Sequence, residues 1–401
     1  MSADTKNIVI AGKNSIAIGA LDYLLTEIKY PPSKIAVVIN KTDNGNNGWQ
    51  LSLKKYAERR SVRALTLQEA ESSAEVFFSL EFDQIIKPNS FKSSCLYNIH
   101  FSLLPEYKGM YTSIWPILDG KSKVGCTLHR IDRGVDTGEV IDCEEFLINE
   151  FTTSSELYWL YLRKGLDLFK RTVKPLLTGS FISRPQHPIG SSYYSIDSFD
   201  FSDRTLNLKN TAWKIGRKVK ALAFREYQLP EFNGVPIVNY EIVGERSQHT
   251  PGTLLYECDS YVLISTIDYN IKLFKDRYTD FIACLEIGDF DSVVSLLKNI
   301  TSIEDRGSTG WTPLMVAAYH AHGDIFNFLL SEGADVNACN RNGTTVLMYA
   351  KDGFLRTGNR KVIDRCLSSG ANIHQRDFNG LALADYIDSH TFDQIMLGVK
   401  L

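Results

Sequence analysis

The sequence predicts an α/β protein: a Rossmann-like, mostly parallel sheet, then a small β-containing domain, then α-helical repeats. Two observations support this order. Short apolar runs alternate with helical segments over the first 150 residues, and a unit of about 33 residues recurs near the end of the chain. We place an N-terminal catalytic domain at 1–184, a linker with the small β-containing domain at 185–276, and the repeats at 277–401.

The first elements form an alternating pattern of strands and helices. NIVIAG (7–12) is an apolar run that ends in glycine, and SIAIGALDYLLTEI follows it at helical spacing. IAVVIN (35–40), FDQIIKP (82–88) and LYNIH (96–100) are predicted as further strands. The turn after the first strand lacks the G-x-G-x-x-G pattern, so no dinucleotide site is predicted there.

The middle of the chain changes from paired strands to a long helix. KVGCTLHRID (123–132) and GEVIDCEEFLI (138–148) flank the turn RGVD, and Thr153 with Glu156 forms a capping box that opens a helix ending before Gly179. We expect a linker over 185–200, a basic helix over 201–222 and short strands over 223–275.

The last third of the chain repeats. Gly310 and Gly343 are 33 residues apart, and Gly343 and Gly380 are 37 apart. Each unit combines a G-x-T-P-L-like start with a G-A-D-V-N-like end, which is the signature of ankyrin repeats. Residues 278–300 resemble a degenerate capping repeat.

Composition restricts the class of protein. The net charge is −3, which argues against a broad nucleic-acid footprint. Seven scattered cysteines without zinc-type spacing are typical of reduced thiols in a cytoplasmic protein. No signal peptide and no membrane span are expected, and no metal site is predicted.

Polar residues at the end of the fourth strand carry the chemistry. Asn98 and His100 point the same way because side chains along a strand alternate with period two. Asn98 has an amide to donate, and His100 can take a proton near neutral pH. Asp136, on the turn RGVDTGEV, is expected to orient the imidazole. Donor, base and orienting group together suit acyl transfer to a nucleophile supplied by the substrate.

NIHFSLLPEYKG followed by GCTLHRIDRGVDTGEV resembles the formyltransferases that use N10-formyltetrahydrofolate, over about residues 5–180. The resemblance implies that Asn98, His100 and Asp136 are the catalytic trio. His129 is a rival base, but we expect it to be a hydrogen-bonded strand residue. The same resemblance implies folate contacts, which are Ile86, Lys87, Leu104 and Arg133.

MYTSIWP (110–116) and KALAFREYQLPEFNG (220–234) resemble the subgroup that acts on dTDP-linked amino sugars. The implied acceptor is dTDP-3-amino-3,6-dideoxy-D-glucose, with the 4-amino isomer as the alternative. The implied substrate contacts are Asn14, Met110, Tyr111, Trp115, Arg225 and Tyr227. Core packing explains Met110 and Trp115 about equally well, and a strand-core role does so for Tyr227.

Beyond the substrate, the resemblance implies a homodimer and a role in making O-antigen or other lipopolysaccharide sugars. The ankyrin module is expected to bind a protein or, on its aromatic and basic face, a second nucleotide. That face would include Trp311, Tyr319, His320 and Arg341.

Two rival enzymes remain open. Methionyl-tRNA formyltransferase needs a basic surface for tRNA, which the net charge of −3 disfavours. In a formyltetrahydrofolate hydrolase, water would replace the amine. A third alternative is a binding protein with a vestigial catalytic domain, against which the intact trio counts.

Overall fold

The computed structural model describes residues 5–307 and 309–397. The chain divides into two compact units, one up to Asp203 and one from Arg204 onwards. The predicted fold class is confirmed: a mostly parallel sheet lies in the first unit, and an antiparallel sheet and helical repeats lie in the second. Of the stretch predicted as linker and small domain, residues 185–203 belong to the first unit and the rest belongs to the second.

The first unit contains nine strands and five helices among its described residues. The strands are β1 (Ile8–Gly12), β2 (Ile35–Ile39), β3 (Arg63–Leu65), β4 (Val76–Leu80), β5 (Leu96–His100), β6 (Lys108–Gly109), β7 (Lys123–Arg130), β8 (Val140–Leu147) and β9 (Tyr193–Tyr194). The helices are α1 (Asn14–Thr26), α2 (Leu53–Arg59), α3 (Leu67–Ser73), α4 (Trp115–Leu118) and α5 (Ser154–Thr178).

Seven of these strands form one sheet in the order β3-β2-β1-β4-β5-β7-β8. The first five are parallel, whereas β7 runs antiparallel to β5 and β8 antiparallel to β7. The order reverses between β1 and β4, and in open α/β sheets that switch point is where ligands bind. The two strands approach closely there, since a Cβ on Gly12 would lie 1.9 Å from the Leu80 carbonyl oxygen.

The third predicted strand was wrong in position. The strand is Val76–Leu80, and all five of its residues are buried. FDQIIKP lies after it without regular structure, with Ile86 buried in the core and Ile85 77% exposed. The run VFFSL suits a strand covered on both faces, whereas FDQIIKP places only one isoleucine inside.

The predicted linker is also ordered by aromatic contacts. β9 pairs with β6, and the ring of Tyr194 stacks on that of Trp115 at 4.0 Å. The Tyr111 hydroxyl donates to the Ile196 carbonyl (2.9 Å). Three aromatic residues over 193–201, Tyr194, Phe199 and Phe201, contact the rings of Tyr111 or Trp115, which explains why the segment does not behave as a polar tether.

The second unit contains a five-stranded antiparallel sheet in the order β10-β11-β14-β13-β12. Its strands are β10 (Glu231–Phe232), β11 (Val235–Arg246), β12 (Leu254–Glu257), β13 (Tyr261–Ser265) and β14 (Tyr269–Lys275), and helix α6 (Ala212–Leu222) packs on it. The basic helix predicted over 201–222 therefore begins eleven residues later than expected, where the Thr211 hydroxyl caps it.

The repeats make up the rest of the second unit. Their helices are α7 (Tyr278–Ile287), α8 (Phe290–Leu296), α9 (Pro313–His320), α10 (Gly323–Ser331), α11 (Val346–Thr357), α12 (Lys361–Ser368) and α13 (Ser389–Met396). Thr312 and Thr345, 33 residues apart, cap α9 and α11 in the same way. One apolar core runs through these helices, as expected for stacked repeats.

Among the described residues, no helix combines the length and apolar composition that crossing a bilayer requires.

Candidate active site

The predicted trio converges at the carboxyl end of β5. His100 Nδ1 lies 3.4 Å from Asp136 Oδ2, and Asn98 Nδ2 donates to Asp136 Oδ1 at 3.3 Å. Asn98 and His100 leave the strand on one side, as the period-two argument predicts. The structure thus brings all three side chains together around one carboxylate.

Asp136 is held by backbone groups as well as by the trio. The Gly109 N–H donates to Asp136 Oδ2 (2.9 Å), and the Gln186 amide donates to the Asp136 carbonyl (2.8 Å). Its φ of +54° lies in the left-handed region, which costs a non-glycine residue free energy and is concentrated at functional sites. Gly109 has a φ of +88°, and a Cβ there would lie 2.1 Å from the Tyr194 carbonyl oxygen, so this contact depends on glycine.

His129 is a strand residue with both ring nitrogens hydrogen-bonded, as expected, and it also lies beside the trio as a fourth member of this cluster. The register pairs Asn98 with His129 across β5 and β7, and Asn98 Nδ2 lies 3.1 Å from His129 Nε2. His129 Nδ1 donates to the Arg130 carbonyl (2.7 Å), which leaves Nε2 as the acceptor. Its Nε2 also lies 3.5 Å from Asp136 Oδ1.

The tautomer of His100 follows from its partners. Its Nε2 lies 2.8 Å from the Tyr107 carbonyl oxygen, which can only accept, so Nε2 carries the hydrogen. Nδ1 then holds the lone pair, and its 3.4 Å separation from Asp136 is longer than an ordinary hydrogen bond. The neutral ring can therefore take a proton at Nδ1, beside a carboxylate that stabilises the resulting imidazolium.

Burial and charge set the protonation states. Burial lowers the pKa of His100 below its ordinary value, and the Asp136 carboxylate offsets this only in part. Burial would raise the pKa of Asp136, but His100, His129 and the Gly109 N–H outweigh it and hold that pKa well below its usual range. At neutral pH the cluster holds an ionised Asp136 and a His100 free to accept a proton.

The residues expected to contact folate follow the carboxyl ends of β4 and β5 along the chain or lie on the turn that carries Asp136. Ile86 is buried and Lys87 is exposed, both in the segment after β4. The Leu104 N–H donates to Thr127 Oγ1 (3.1 Å), and the Leu104–Pro105 peptide is cis. Arg133 is exposed on the turn that carries Asp136.

The residues expected to touch substrate in the first unit are engaged within the protein. The Asn14 amide donates to the Tyr158 hydroxyl (3.0 Å) and accepts from the Ser15 N–H (2.8 Å). Tyr111 and Trp115 pack on the 193–201 segment, and the Trp115 indole donates to the Met110 carbonyl (3.1 Å). Met110 itself is 45% exposed.

Arg225, which the resemblance gives as a substrate contact, is paired with carboxylates of the second unit. Its guanidinium makes a two-point contact with Asp276 (2.6 and 2.8 Å) and lies 3.4 Å from Asp305. Its cationic carbon lies 4.5 Å from the Tyr278 ring centroid. These contacts give Arg225 a structural role in the second unit. Tyr227 is 59% exposed.

Trp311 and Tyr319, expected on an aromatic face of the repeats, have their rings in contact. The Trp311 ring lies 4.2 Å from that of Tyr349 and 5.3 Å from that of Tyr319. His320 stacks on His322 at 5.9 Å, and Arg341 donates to the Gly307 carbonyl at 3.2 Å.

Comparison with known proteins agrees with this geometry. The formyl transferase family matches residues 30–172, and ankyrin repeats, in three copies, match residues 281–377. The crystal structure of WlaRD, a sugar 3N-formyl transferase in the presence of dTDP and 5-N-formyl-THF, is 39% identical and has a TM-score of 0.63. It covers 68% of this chain, which covers 98% of that one.

A second solved structure is similar to the same degree. The N-formyltransferase of Helicobacter canadensis, in complex with folinic acid and dTDP-3-aminofucose, is 39% identical, with a TM-score of 0.63, 67% of this chain covered and 99% of that one. The methionyl-tRNA formyltransferase of Clostridium tetani is 25% identical over 68% of this chain and 91% of its own length. The methionyl-tRNA formyltransferase of Clostridium novyi is 28% identical over 41% of this chain and 53% of its own length, so the chain spans about half of that relative.

Proposed function

The chain belongs to the sugar N-formyltransferases, and from that premise we propose that it formylates the amine of a dTDP-linked amino-dideoxy sugar. Our best candidate for the acceptor is dTDP-3-amino-3,6-dideoxy-D-glucose. Two relatives at 39% identity support this choice, since one is described as a 3N-transferase and the other was solved with a 3-amino sugar nucleotide. The single observation that carries the chemistry is the convergence of Asn98 and His100 on Asp136.

The residues after β4 fit a folate donor. Residues 82–87 lie outside regular structure, so their backbone N–H and C=O groups are not used in the sheet and can pair with a pterin ring. Ile86 and Lys87 would hold the ring, with Leu104 and Arg133 beside it. When bound, N10-formyltetrahydrofolate supplies the formyl carbon.

The side chains of the cluster divide the remaining work. The sugar amine attacks the formyl carbon, and one Asn98 N–H turns from Asp136 or His129 to the oxygen on which negative charge develops. His100 takes the amine proton at Nδ1, and Asp136 stabilises the charge that the imidazole acquires. The ring then returns this proton to N10 of the folate as the C–N bond breaks.

The experiment that tests this function is an assay of tetrahydrofolate release against dTDP- and UDP-linked 3- and 4-amino sugars. We expect turnover with the dTDP-linked 3-amino sugar above all others. Turnover with no amino sugar would contradict the proposal. Formate release without any acceptor would favour a hydrolase, and formylation of methionyl-tRNA would favour the enzyme of that name.

We also propose that the aromatic cluster of Trp311, Tyr319 and Tyr349 binds a ligand of the ankyrin module, either a second nucleotide or a protein. These rings are tilted or edge-to-face against one another, and the Arg356 guanidinium lies 5.5 Å from the Tyr319 ring centroid. Such a set of aromatic faces beside a cation suits a base or a planar side chain. Crystals soaked with excess dTDP-sugar test the nucleotide. Density confined to the catalytic site would exclude it.

The remaining proposals rest on family resemblance. We propose a cytoplasmic homodimer whose product enters O-antigen or another surface polysaccharide. Light scattering of the purified protein tests the dimer, and a monomeric mass would contradict it.

A further inference from the structure

A second, partly buried polar cluster lies at the switch point of the sheet, and the mechanism above does not use it. Glu81 follows Leu80, whose partner across β4 and β5 is Ile99, the residue before His100. Neighbouring strands are about 4.8 Å apart, so the backbones of Glu81 and His100 are adjacent. Glu81 is therefore placed at the same edge of the sheet as the catalytic trio.

The Glu81 side chain does not continue the period-two alternation of side chains along β4. Its φ is +62°, in the left-handed region, and its Oε1 accepts from the Tyr158 hydroxyl on α5 at 2.5 Å. That hydroxyl in turn accepts from Asn14 Nδ2 and Gln50 Nε2, both at 3.0 Å. Lys13 Nζ donates to Gln50 Oε1 at 3.2 Å. We name these five residues the Glu81 cluster.

Two buried oxygens at this place accept no hydrogen bond from the described residues. They are Glu81 Oε2 and Asn40 Oδ1. The Asn40 amide donates to the Glu81 carbonyl (2.9 Å), so both acceptors belong to the same small region. Buried acceptors are almost always satisfied, and a group with several N–H donors and a positive charge would satisfy both.

Burial also adjusts the protonation of Glu81. It raises the pKa of the carboxyl to about 7, although the Lys13 charge and the Tyr158 hydrogen bond lower it. Lys13 after β1 and Tyr158 on α5 are the titratable groups that face it, and His100 lies on the neighbouring strand. The carboxyl is ionised above about pH 7 and neutral below, as a group that exchanges protons with an amine requires.

We propose that Glu81 Oε2 binds the acceptor amine in its ammonium form and removes the first of its two transferable protons. This rests on the proposed function, because an amino sugar reaches the site protonated and cannot attack until it loses a proton. The ammonium N–H bond breaks and the carboxylate becomes a carboxylic acid. The freed lone pair forms the C–N bond, and the second proton goes to His100 and then to the folate nitrogen. Glu81 finally releases its proton to water.

The test compares two ligands on two variants. Binding of a dTDP-amino sugar and of the analogue with a hydroxyl in place of the amine is measured by calorimetry near pH 8. We expect the wild type to prefer the amino sugar and Glu81→Gln to lose at least about tenfold of that preference, with binding of the hydroxyl analogue unchanged. Glu145→Gln, which alters an exposed carboxylate paired with Lys123, is the matched control and should keep the preference.

An unchanged preference in Glu81→Gln would overturn the proposal. Should that variant fail to fold, the wild type alone decides, because its preference must fall as the pH drops from about 8 to about 6. A preference independent of pH overturns the proposal as well. Wild-type turnover of the amino sugar, measured in parallel, keeps this outcome separate from a failure of the proposed function.

Discussion

The cluster around Asp136 and the ion pairs around Arg225 are two buried sets of charges with opposite designs. Asp136 is shared by two histidines and an amide, at separations of 3.3 to 3.5 Å. Asp276 receives two short contacts from a guanidinium that cannot lose its proton, and Asp305 shares that guanidinium. The first arrangement can gain and lose protons, whereas the second can only hold the fold together.

The pKa shifts of His100 and Asp305 differ between the two sets in the same way. Burial lowers the pKa of His100, so the ring is neutral and ready to act. Burial raises the pKa of Asp305, although the Arg225 charge and the Thr301 hydrogen bonds oppose this. Removing a member of the first set should reduce rate, and removing a member of the second should reduce stability. The predictions below test this separation.

The largest effect is expected for His100→Asn. The substitution removes the proton acceptor and keeps a polar side chain, so we expect a loss of about 10³-fold in kcat. Thermal unfolding of the variant should match the wild type. A rate close to that of the wild type would exclude His100 as the base.

Arg225→Met should reduce the stability of the protein rather than its rate. It leaves Asp276 and the buried Asp305 without their cation, which costs about 3 to 5 kcal/mol in the free energy of unfolding of the second unit. Lys272→Met, which breaks a half-exposed pair with Glu241, is the control and should cost less than about 1 kcal/mol. Denaturant titration measures both. Equal losses would show that the Arg225 pairs are no stronger than surface pairs.

Asn98→Ala should reduce rate by somewhat less than His100→Asn. Removing one donor to a developing oxyanion typically raises the barrier by about 3 kcal/mol, or about 10²-fold in kcat. The Kd of the sugar nucleotide should change little, since this contact forms in the transition state. A variant that loses binding and keeps kcat would assign Asn98 to ground-state recognition.

Asp136→Asn should produce the smallest of these effects, a shift in the pH dependence of kcat. His100 must be neutral to act, so kcat is constant above its lowered pKa and falls as the pH drops through it. Because the Asp136 carboxylate raises the pKa of His100, its removal should move this acid limb to lower pH, together with a loss of rate. A limb that moves to higher pH would show that another group controls it.

The sequence predicted the trio but not its fourth member. Asn98, His100 and Asp136 lie in a recognisable motif, and strand periodicity alone places the first two together. His129 joins them because β7 pairs antiparallel with β5 in a register that sets it opposite Asn98. That register depends on how the chain folds between residues 101 and 122, which no local pattern specifies. The alternation of His129 with Thr127 along the strand was the available signal, and it did not indicate which face was the site.

The other differences have a common cause in tertiary contacts. FDQIIKP resembles a strand by composition, but the preceding VFFSL is the run that both faces of the sheet bury. Arg225 was expected to contact the substrate, whereas the structure pairs it with Asp276 and Asp305, which are 51 and 80 residues away in sequence. Long-range pairing of charges is invisible to spacing arguments, whereas the repeat period is visible because similar residues recur along the chain at a fixed spacing.

The small sheet also closes one end of the repeat array. The Asn299 amide donates to the Ser260 and Lys275 carbonyls (2.7 and 2.8 Å), and its own carbonyl accepts from the Arg277 N–H (2.9 Å). An array of stacked units normally needs a polar cap at each end, and here the sheet supplies the first one. The two ends of the array are therefore not equivalent: an insertion next to Asn299 would disrupt the hydrogen bonds to the sheet, whereas a change beside the last described helix would leave them in place.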